Sequence, residues 1–436
     1  MNEELTAKVD ALRSQYEKLQ DEVAMTDVSD TLGDIATKIT GLPGQIQQIR
    51  GDGYAFANYL EHKTTTLDEQ WGDIRSQIQQ AIRKELENAQ NELEELDDLW
   101  DALDAAIAGE SGAASSKRMS GLSAMVKSAM DEKDEGGGSS AAGGLLGNLG
   151  KAKTQAKSGG LAKAAGALGG ATSKPKSGAL GGVGSALGGA ASSGGGNSEA
   201  DIDSLATQLE GAMGRLEKSV EGAKGRIRGL YGQVPSNVDQ TMYQIREIQK
   251  YVERAQNAKF DWNAGEDMYM VVKAEWKESG DKKDDPDGFF YISNQRILME
   301  QDEKKGGFMG FGGKKAEGLL WEAPIGSIED ISFEKKGMLG RIDLIHIKFG
   351  SGGPFGEVTV EVKEGDAKWF ASKLKQAASG ELEKERGLER DQALVDAIAD
   401  APTTCPVCGA TFDQQIVRGM TQLDCSYCGS IVRLAV

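Results

Sequence analysis

The sequence predicts a multidomain α+β protein: long coiled-coil helices, a disordered Gly/Ala/Lys linker, a small β-barrel with a C-terminal helix, and a short four-cysteine module at the end. Three observations lead there. Apolar residues recur at spacings of three and four through the first quarter of the chain and again after residue 199. Between Gly136 and Ser198 the composition collapses to Gly, Ala, Ser, Leu and Lys, with no Asp or Glu. From Asp267 the periodicity shortens to that of strands. The 436 residues give room for about three domains. A hydrophobic fraction of 39% with 58 glycines does not suit one large core, so small folded modules are expected.

The helices come first. Leu5, Val9, Leu12, Tyr16, Leu19 and Val23 follow the 4-3-4-3-4 seam of a coiled coil, which needs a partner helix. A break is expected at Gly41-Leu42-Pro43-Gly44, followed by a mixed stretch with Tyr54, Phe56, Tyr59 and Leu60. From Leu67 through Trp71, Ile78, Leu86, Leu93, Trp100 and Ile107 the pattern predicts a rod about 60 Å long. Residues 1–110 are thus read as coiled-coil helices, and a homo-oligomer formed through them is expected.

Residues 111–198 are read as a short helix and then the low-complexity linker. Lys117–Met130 can form an amphipathic helix with Leu122, Met125, Val126 and Met130 on one side, suited to a membrane surface or to the tail of the coiled coil. In the linker, Lys151, Lys153, Lys157, Lys163, Lys174 and Lys176 serve either a soluble spacer or a polybasic tether. Residues 199–257 read as a helical hairpin that turns at Val234-Pro235-Ser236-Asn237. Gly211, Gly214, Gly222, Gly225, Gly229 and Gly232 either permit close helix approach or weaken its first helix.

Over residues 260–378, seven short strands are predicted at 268–276, 289–292, 296–300, 318–322, 328–334, 342–349 and 357–362. A closing helix follows over 366–377, with Trp369, Phe370 and Leu374 on one face. Gly265-Glu266, Gly288-Phe289-Phe290-Tyr291-Ile292-Ser293-Asn294-Gln295-Arg296-Ile297-Leu298, Ile325-Gly326-Ser327-Ile328-Glu329-Asp330-Ile331 and Asp366-Ala367-Lys368-Trp369 carry a resemblance to the GRAM and pleckstrin-homology-like (PH-like) superfamily. The resemblance implies a PH-like barrel and binding of lipid or peptide.

The loops add a physical argument. Lys304 and Lys305, then Phe308, Met309 and Phe311, then Lys314 and Lys315 set apolar side chains on a glycine-rich tip between lysine pairs. Lys335, Lys336, Met338, Leu339 and Arg341 repeat the scheme. In a meander the first, third and fifth connections leave the same end, and that end suits an anionic lipid surface or a protein partner. Internal packing of Phe308 and Phe311 is the plain alternative, and Asp281, Asp284, Asp285 and Asp287 of the first connection weigh against lipid.

A helical linker is expected over 379–401, then a metal module over 402–436. Cys405, Cys408, Cys425 and Cys428 form two CxxC pairs with sixteen residues between them, each followed by a glycine. That spacing suits one ion held by two tight turns, and so small a module lacks the core to fold without it. The pattern resembles the zinc-ribbon superfamily over its whole length, which implies one structural Zn2+; iron in a four-thiolate site is the chemical alternative.

The remaining composition bounds function. The formal charge of −18 disfavours nucleic acid, and all four cysteines belong to the metal module, which points to a reducing, cytoplasmic setting. Met1-Asn2-Glu3-Glu4 lacks the features of a signal peptide, so any contact is expected at the inner face of a membrane. With two histidines, His62 and His346, and no phosphate loop, nucleophile elbow or dinucleotide fingerprint, neither an enzyme nor a small-molecule substrate is expected. The expectation is a self-associating scaffold or adaptor that docks through the β module and recruits a protein through the ribbon. The competing reading is a nucleic-acid-linked adaptor using the ribbon and the basic linker.

Overall fold

The structure is a computed structural model that describes residues 3–111, 121–131, 148–149, 151, 199–263, 265–279, 285–305, 314–336, 342–350, 353–389, 402–412 and 422–433. Most of the Gly/Ala/Lys linker, the Phe308 and Met338 loops and residues 390–401 lie outside them. The chain divides into two compact units: residues 1–40 with 66–238, and residues 41–65 with 239–436.

The first unit is helical. Helix α1 (Glu3–Val23) ends at Ala24 and Met25, and α2 (Thr26–Gly51) begins at once. Met25 takes φ 49°, a left-handed turn without a glycine or proline to announce it. Helix α2 runs straight through Pro43, against the expected break. The reason is burial: Ile39, Leu42, Ile46 and Ile49 are all at most 3% exposed, while Pro43 sits on the exposed face, so one lost hydrogen bond there does not outweigh the packing. Helix α3 (Tyr59–Ser111) spans 53 residues, about 80 Å of helix.

The partner helices that the α1 seam calls for lie in the same chain. Leu5, Val9, Leu12, Tyr16, Leu19 and Val23 are all buried. Tyr16 stacks on Trp100 of α3 at 5.1 Å and donates to Asp97 Oδ1 at 3.0 Å. Lys8 donates to Asp203 at 2.6 Å and to Thr207 at 3.0 Å, both on α5 (Glu199–Tyr231). The apolar stripe of α1 is thus covered within the same chain.

Helix α4 (Leu122–Asp131) is also a packing element: Leu122, Met125, Val126 and Ala129 are buried. Asp97 caps its start, accepting from the backbone N–H of Leu122 and of Ser123, each at 2.9 Å. On α5 a Cβ added at Gly214, Gly225 or Gly229 meets nothing within 4 Å, so these glycines do not serve close helix approach. Helix α6 (Val234–Gln256) begins in the first unit and lies mostly in the second.

The second unit holds all seven predicted strands: β1 (Met268–Trp276), β2 (Asp287–Ser293), β3 (Arg296–Lys305), β4 (Lys314–Pro324), β5 (Ile328–Lys336), β6 (Ile342–Phe349) and β7 (Glu357–Val362). They form one antiparallel sheet in the order β4-β3-β2-β1-β7-β6-β5. Among the described residues no ladder joins the edge strands β4 and β5, which connect instead through a 3-10 turn at Ile325–Ser327. Helix α7 (Ala367–Ser379) packs on β2, β5 and β6, capped by Asp366, which accepts from Lys368 N at 2.9 Å and Trp369 N at 3.2 Å. Its buried stripe is Ala367, Phe370, Ala371, Leu374 and Ala377; Trp369, expected inward, is 47% exposed. Strands β2 and β3 approach so closely that a Cβ on Gly288 would sit 1.8 Å from the Glu300 carbonyl oxygen.

Two polar arrangements fix this unit. The turn between β2 and β3 is wired to Glu266: Ser293 Oγ donates to it at 2.6 Å and Arg296 Nε reaches both of its oxygens at 3.0 Å. Arg296 also pairs with Glu322 and donates to the Asp261 carbonyl at 2.7 Å. The second arrangement was not expected. Residues 54–58, ahead of α3, are laid against the sheet, with Phe56 stacked on Tyr269 at 3.7 Å and Tyr54 Oη donating to the Tyr269 carbonyl at 3.1 Å. Arg50 donates to the carbonyls of Tyr54 and Phe56, at 2.7 and 2.5 Å, and Gly387 N donates to the Ala55 carbonyl at 2.7 Å. Beyond the end of α7 at Ser379, only the 3-10 turn at Glu381–Glu385 is helical among the described residues of the expected helical linker.

Candidate metal centre and docking end

The four cysteines come together at two matching turns. Cys405 N donates to the Ala410 carbonyl at 2.8 Å and Gly409 N to the Cys405 carbonyl at 2.8 Å; the Cys425 turn repeats both bonds with Ser430 and Gly429. Gly409 and Gly429 take φ 74° and 70°, which explains a glycine after each pair. Short strands β8 (Gln422–Asp424) and β9 (Ile431–Arg433) brace the second turn, and Thr404 bridges to Thr411 beside the first.

All four sulphurs lie within 4.8 Å of one another, with Cys405 to Cys428 at 3.8 Å and Cys408 to Cys425 at 3.6 Å. Thiolates placed about 2.3 Å from a tetrahedral ion stand about 3.8 Å apart, whereas a disulfide needs about 2.05 Å. The geometry therefore fits one metal ion with four thiolate ligands. Ser430, which the cysteine spacing gave no reason to single out, places its hydroxyl 3.1 Å from Cys405 Sγ and 3.0 Å from Cys428 Sγ. That contact lowers the Cys428 thiol and brings Cys405 down to about 6. At Cys408 the Ala410 N–H lowers the pKa, but burial and the neighbouring sulphurs outweigh it and push the thiol to about 12.

The lysines expected at a docking surface separate into two groups. Strands β3 and β4 run on past the body of the sheet, and their register sets Lys304 opposite Lys315 and Lys305 opposite Lys314. Lys315 lies 3.3 Å from Asp302 and 2.5 Å from Glu317. The tip with Phe308, Met309 and Phe311 lies outside the described residues. Because β7 runs antiparallel to β1, with Trp276 opposite Val360, the β6–β7 connection shares the end with the β1–β2 and β3–β4 connections. The β5–β6 connection leaves the opposite end. Lys335 and Lys336 therefore do not join the first group, contrary to the meander argument; Lys335 pairs there with Asp343 at 3.3 Å. Met338, Leu339 and Arg341 lie outside the described residues.

At the β1–β2 end the acidic objection to an anionic partner is smaller than the sequence suggested. Asp285 is buried, accepting from Ser279 N at 2.9 Å and from Ser279 Oγ at 2.6 Å. His346 contacts Thr359 at 2.9 Å and Glu334 at 3.3 Å across the strands, as expected of a structural residue.

No protein-family profile matches the sequence, and comparison with curated proteins finds no match. Structural comparison finds PH domains. The N-terminal PH domain of Vps36 is 16% identical over 28% of this chain and 86% of its own, at a TM-score of 0.20. The DH/PH domains of PDZ-RhoGEF, in complex with activated RhoA, are 13% identical over 40% of this chain and 51% of their own, at 0.19. The DH/PH domains of p115-RhoGEF are 11% identical over 84% of this chain and 98% of their own, at 0.20. No helix among the described residues is long and apolar enough to cross a membrane.

Proposed function

We propose that the chain is a non-enzymatic adaptor. Its seven-stranded module, a GRAM/PH-like domain, docks peripherally through the β3–β4 end on an anionic membrane surface or on an acidic protein, at the cytoplasmic side. Its last module, a zinc ribbon around one structural Zn2+, recruits a second protein. The observation that carries the docking role is the lysine register: two like-charged pairs stand directly opposite each other at the end of one hairpin. An anionic surface at the tip supplies partners for this concentration of positive charge, about 1 kcal/mol from each lysine at an acidic leaflet and less from Lys315, which Asp302 and Glu317 already hold.

Membrane docking is tested by flotation of the chain on phosphatidylserine vesicles. The expected result is binding at low salt that is lost at high salt, in the Phe308→Ser/Phe311→Ser variant, and in the Lys304→Glu/Lys314→Glu variant. Absence of flotation at low salt removes the membrane and leaves the protein partner. The metal is tested separately. A four-thiolate set leaves no open position for chemistry, so its role is to hold the turns together. Elemental analysis is expected to give one zinc per chain, lost on Cys408→Ser; iron in its place would make the module rubredoxin-like.

A further inference from the structure

A groove of about 480 Å³ opens in the second unit between α6, residues 54–59, the start of β1 and the start of α7. Its walls carry five of the chain's nine tyrosines, Tyr54, Tyr59, Tyr243, Tyr251 and Tyr269, together with Trp369. Three of these aromatics remain open to solvent: Tyr59 is 42% exposed, Tyr243 56% and Trp369 47%. Clustered aromatic surface of this kind marks an interaction site more often than a bare wall.

The shape and charge of the walls select the occupant. Along α6 the groove runs from Gln240 to Tyr251, about 16 Å of helix, which matches about five residues of extended chain. Glu247, Glu364, Asp366 and Glu385 line it against Lys250 and Lys373, and Arg254 pairs with Glu364, so one negative charge, at the Asp366 cap of α7, is left over. Both lysines are already held, Lys250 by Glu247 and Lys373 by Glu385, each at 2.6 Å. An anionic ligand therefore finds no cation to pair with, and a positive charge is the complement. Added-strand binding is closed off at the start of β1, because one edge pairs with β2 and side chains occupy the other: Tyr54 Oη and Arg254 donate to the carbonyls of Tyr269 and Val271, and Glu364 accepts from Lys273 N. Aromatic walls suit a polyproline II segment, whose unpaired carbonyls need donors that the exposed Tyr59 and Tyr243 hydroxyls and the Trp369 indole N–H supply.

We propose that this groove binds a short, extended, proline-containing segment of a partner protein that carries one basic residue. The proposal does not depend on membrane docking, which would use the β3–β4 end and leave the start of β1 free. The test is to pan a random octapeptide display library against the full chain, subtracting with its Tyr243→Ala/Trp369→Ala variant, and to measure the recovered sequences as synthetic peptides by calorimetry. Recovered peptides are expected to share proline with lysine or arginine. Each single substitution is expected to weaken binding by about tenfold or more, and replacing the basic residue by glutamate to do the same, while vesicle flotation and circular dichroism stay unchanged. No enrichment, enrichment of acidic peptides, or binding indifferent to both substitutions overturns the proposal. So does tighter binding of a peptide copied from this chain's own residues 170–180, which would make the occupant internal.

Discussion

Arg296 spreads its guanidinium over Glu266, Glu322 and the Asp261 carbonyl, and the Glu266 side chain beneath it is fully buried. Removing Glu266 takes away the buried partner of Arg296 and leaves the guanidinium only the half-exposed Glu322 and the Asp261 carbonyl. Glu266→Ala is expected to lower the stability of the second unit by about 3–5 kcal/mol, read as a drop in the urea midpoint, with Glu266→Gln milder because it keeps an acceptor. The Ser293-to-Arg296 turn was legible in the sequence as a resemblance, and the structure supplies its reason in the Glu266 network. Met25 was not legible, because a left-handed turn on a β-unbranched apolar residue leaves no compositional mark. Two part-buried carboxylates of the second unit contribute to the response to acid. Burial alone would raise Glu361, but Lys277 and Lys363 outweigh it and hold it below the usual range; the Arg254 hydrogen bond does the same for Glu364. A carboxyl depressed in the folded state lends stability at neutral pH that disappears as pH falls through and below the carboxylate range. Melting temperature is therefore expected to decline on acidification, with a shallower slope in Glu361→Gln; an unchanged slope would refute the assignment.

Among elements, the clearest expectation concerns glycines in opposite settings. On α5, Gly225 and Gly229 face open space, so Gly225→Ala and Gly229→Ala should each stabilise the first unit by about 0.5–1 kcal/mol. Gly288→Ala should instead disrupt the β2–β3 ladder, because its Cβ collides with backbone. Thermal melts of the three variants decide this, and stabilisation by Gly288→Ala would contradict the close strand approach. The strands were legible because half-buried alternation is a strong local signal, and all seven stand where it put them. Helix ends were less so. Pro43 reads as a breaker, yet the apolar stripe through Ile39, Leu42 and Ile46 prevails once packing covers it. Trp369 reads as core by size, but the stripe Ala367, Phe370, Leu374 and Ala377 already fills that face of α7.

In the molecule as a whole, the seam on α1 is satisfied within one chain, so light scattering is expected to give the mass of a single 46.4 kDa copy. The boundary drawn from sequence before residue 260 also fails to isolate the sheet. Tyr54 and Phe56 belong to its packing, and Phe56 is fully buried between Tyr269 and Arg386, whose guanidinium lies 4.6 Å over the ring. Nothing local in 54–58 indicates this, since the partners are far along the chain. A chain beginning at Asp239 is expected to melt lower than the same segment in the intact protein, and a peptide of residues 41–65 to restore it. Loss of the Phe56 side chain alone is worth about 3–5 kcal/mol. An equal melt without the peptide would show that the strap is passive. The strap also sets a timetable. Asn58 donates to the carbonyl of Arg386, 328 residues further on. At about 5–20 residues per second, a ribosome needs about 15–65 s to deliver that acceptor after Asn58 has been joined. Tyr54 and Phe56 wait about half of the chain's synthesis for Tyr269 and longer for Arg386, and a polypeptide halted short of residue 269 carries both without their berth until it is cleared.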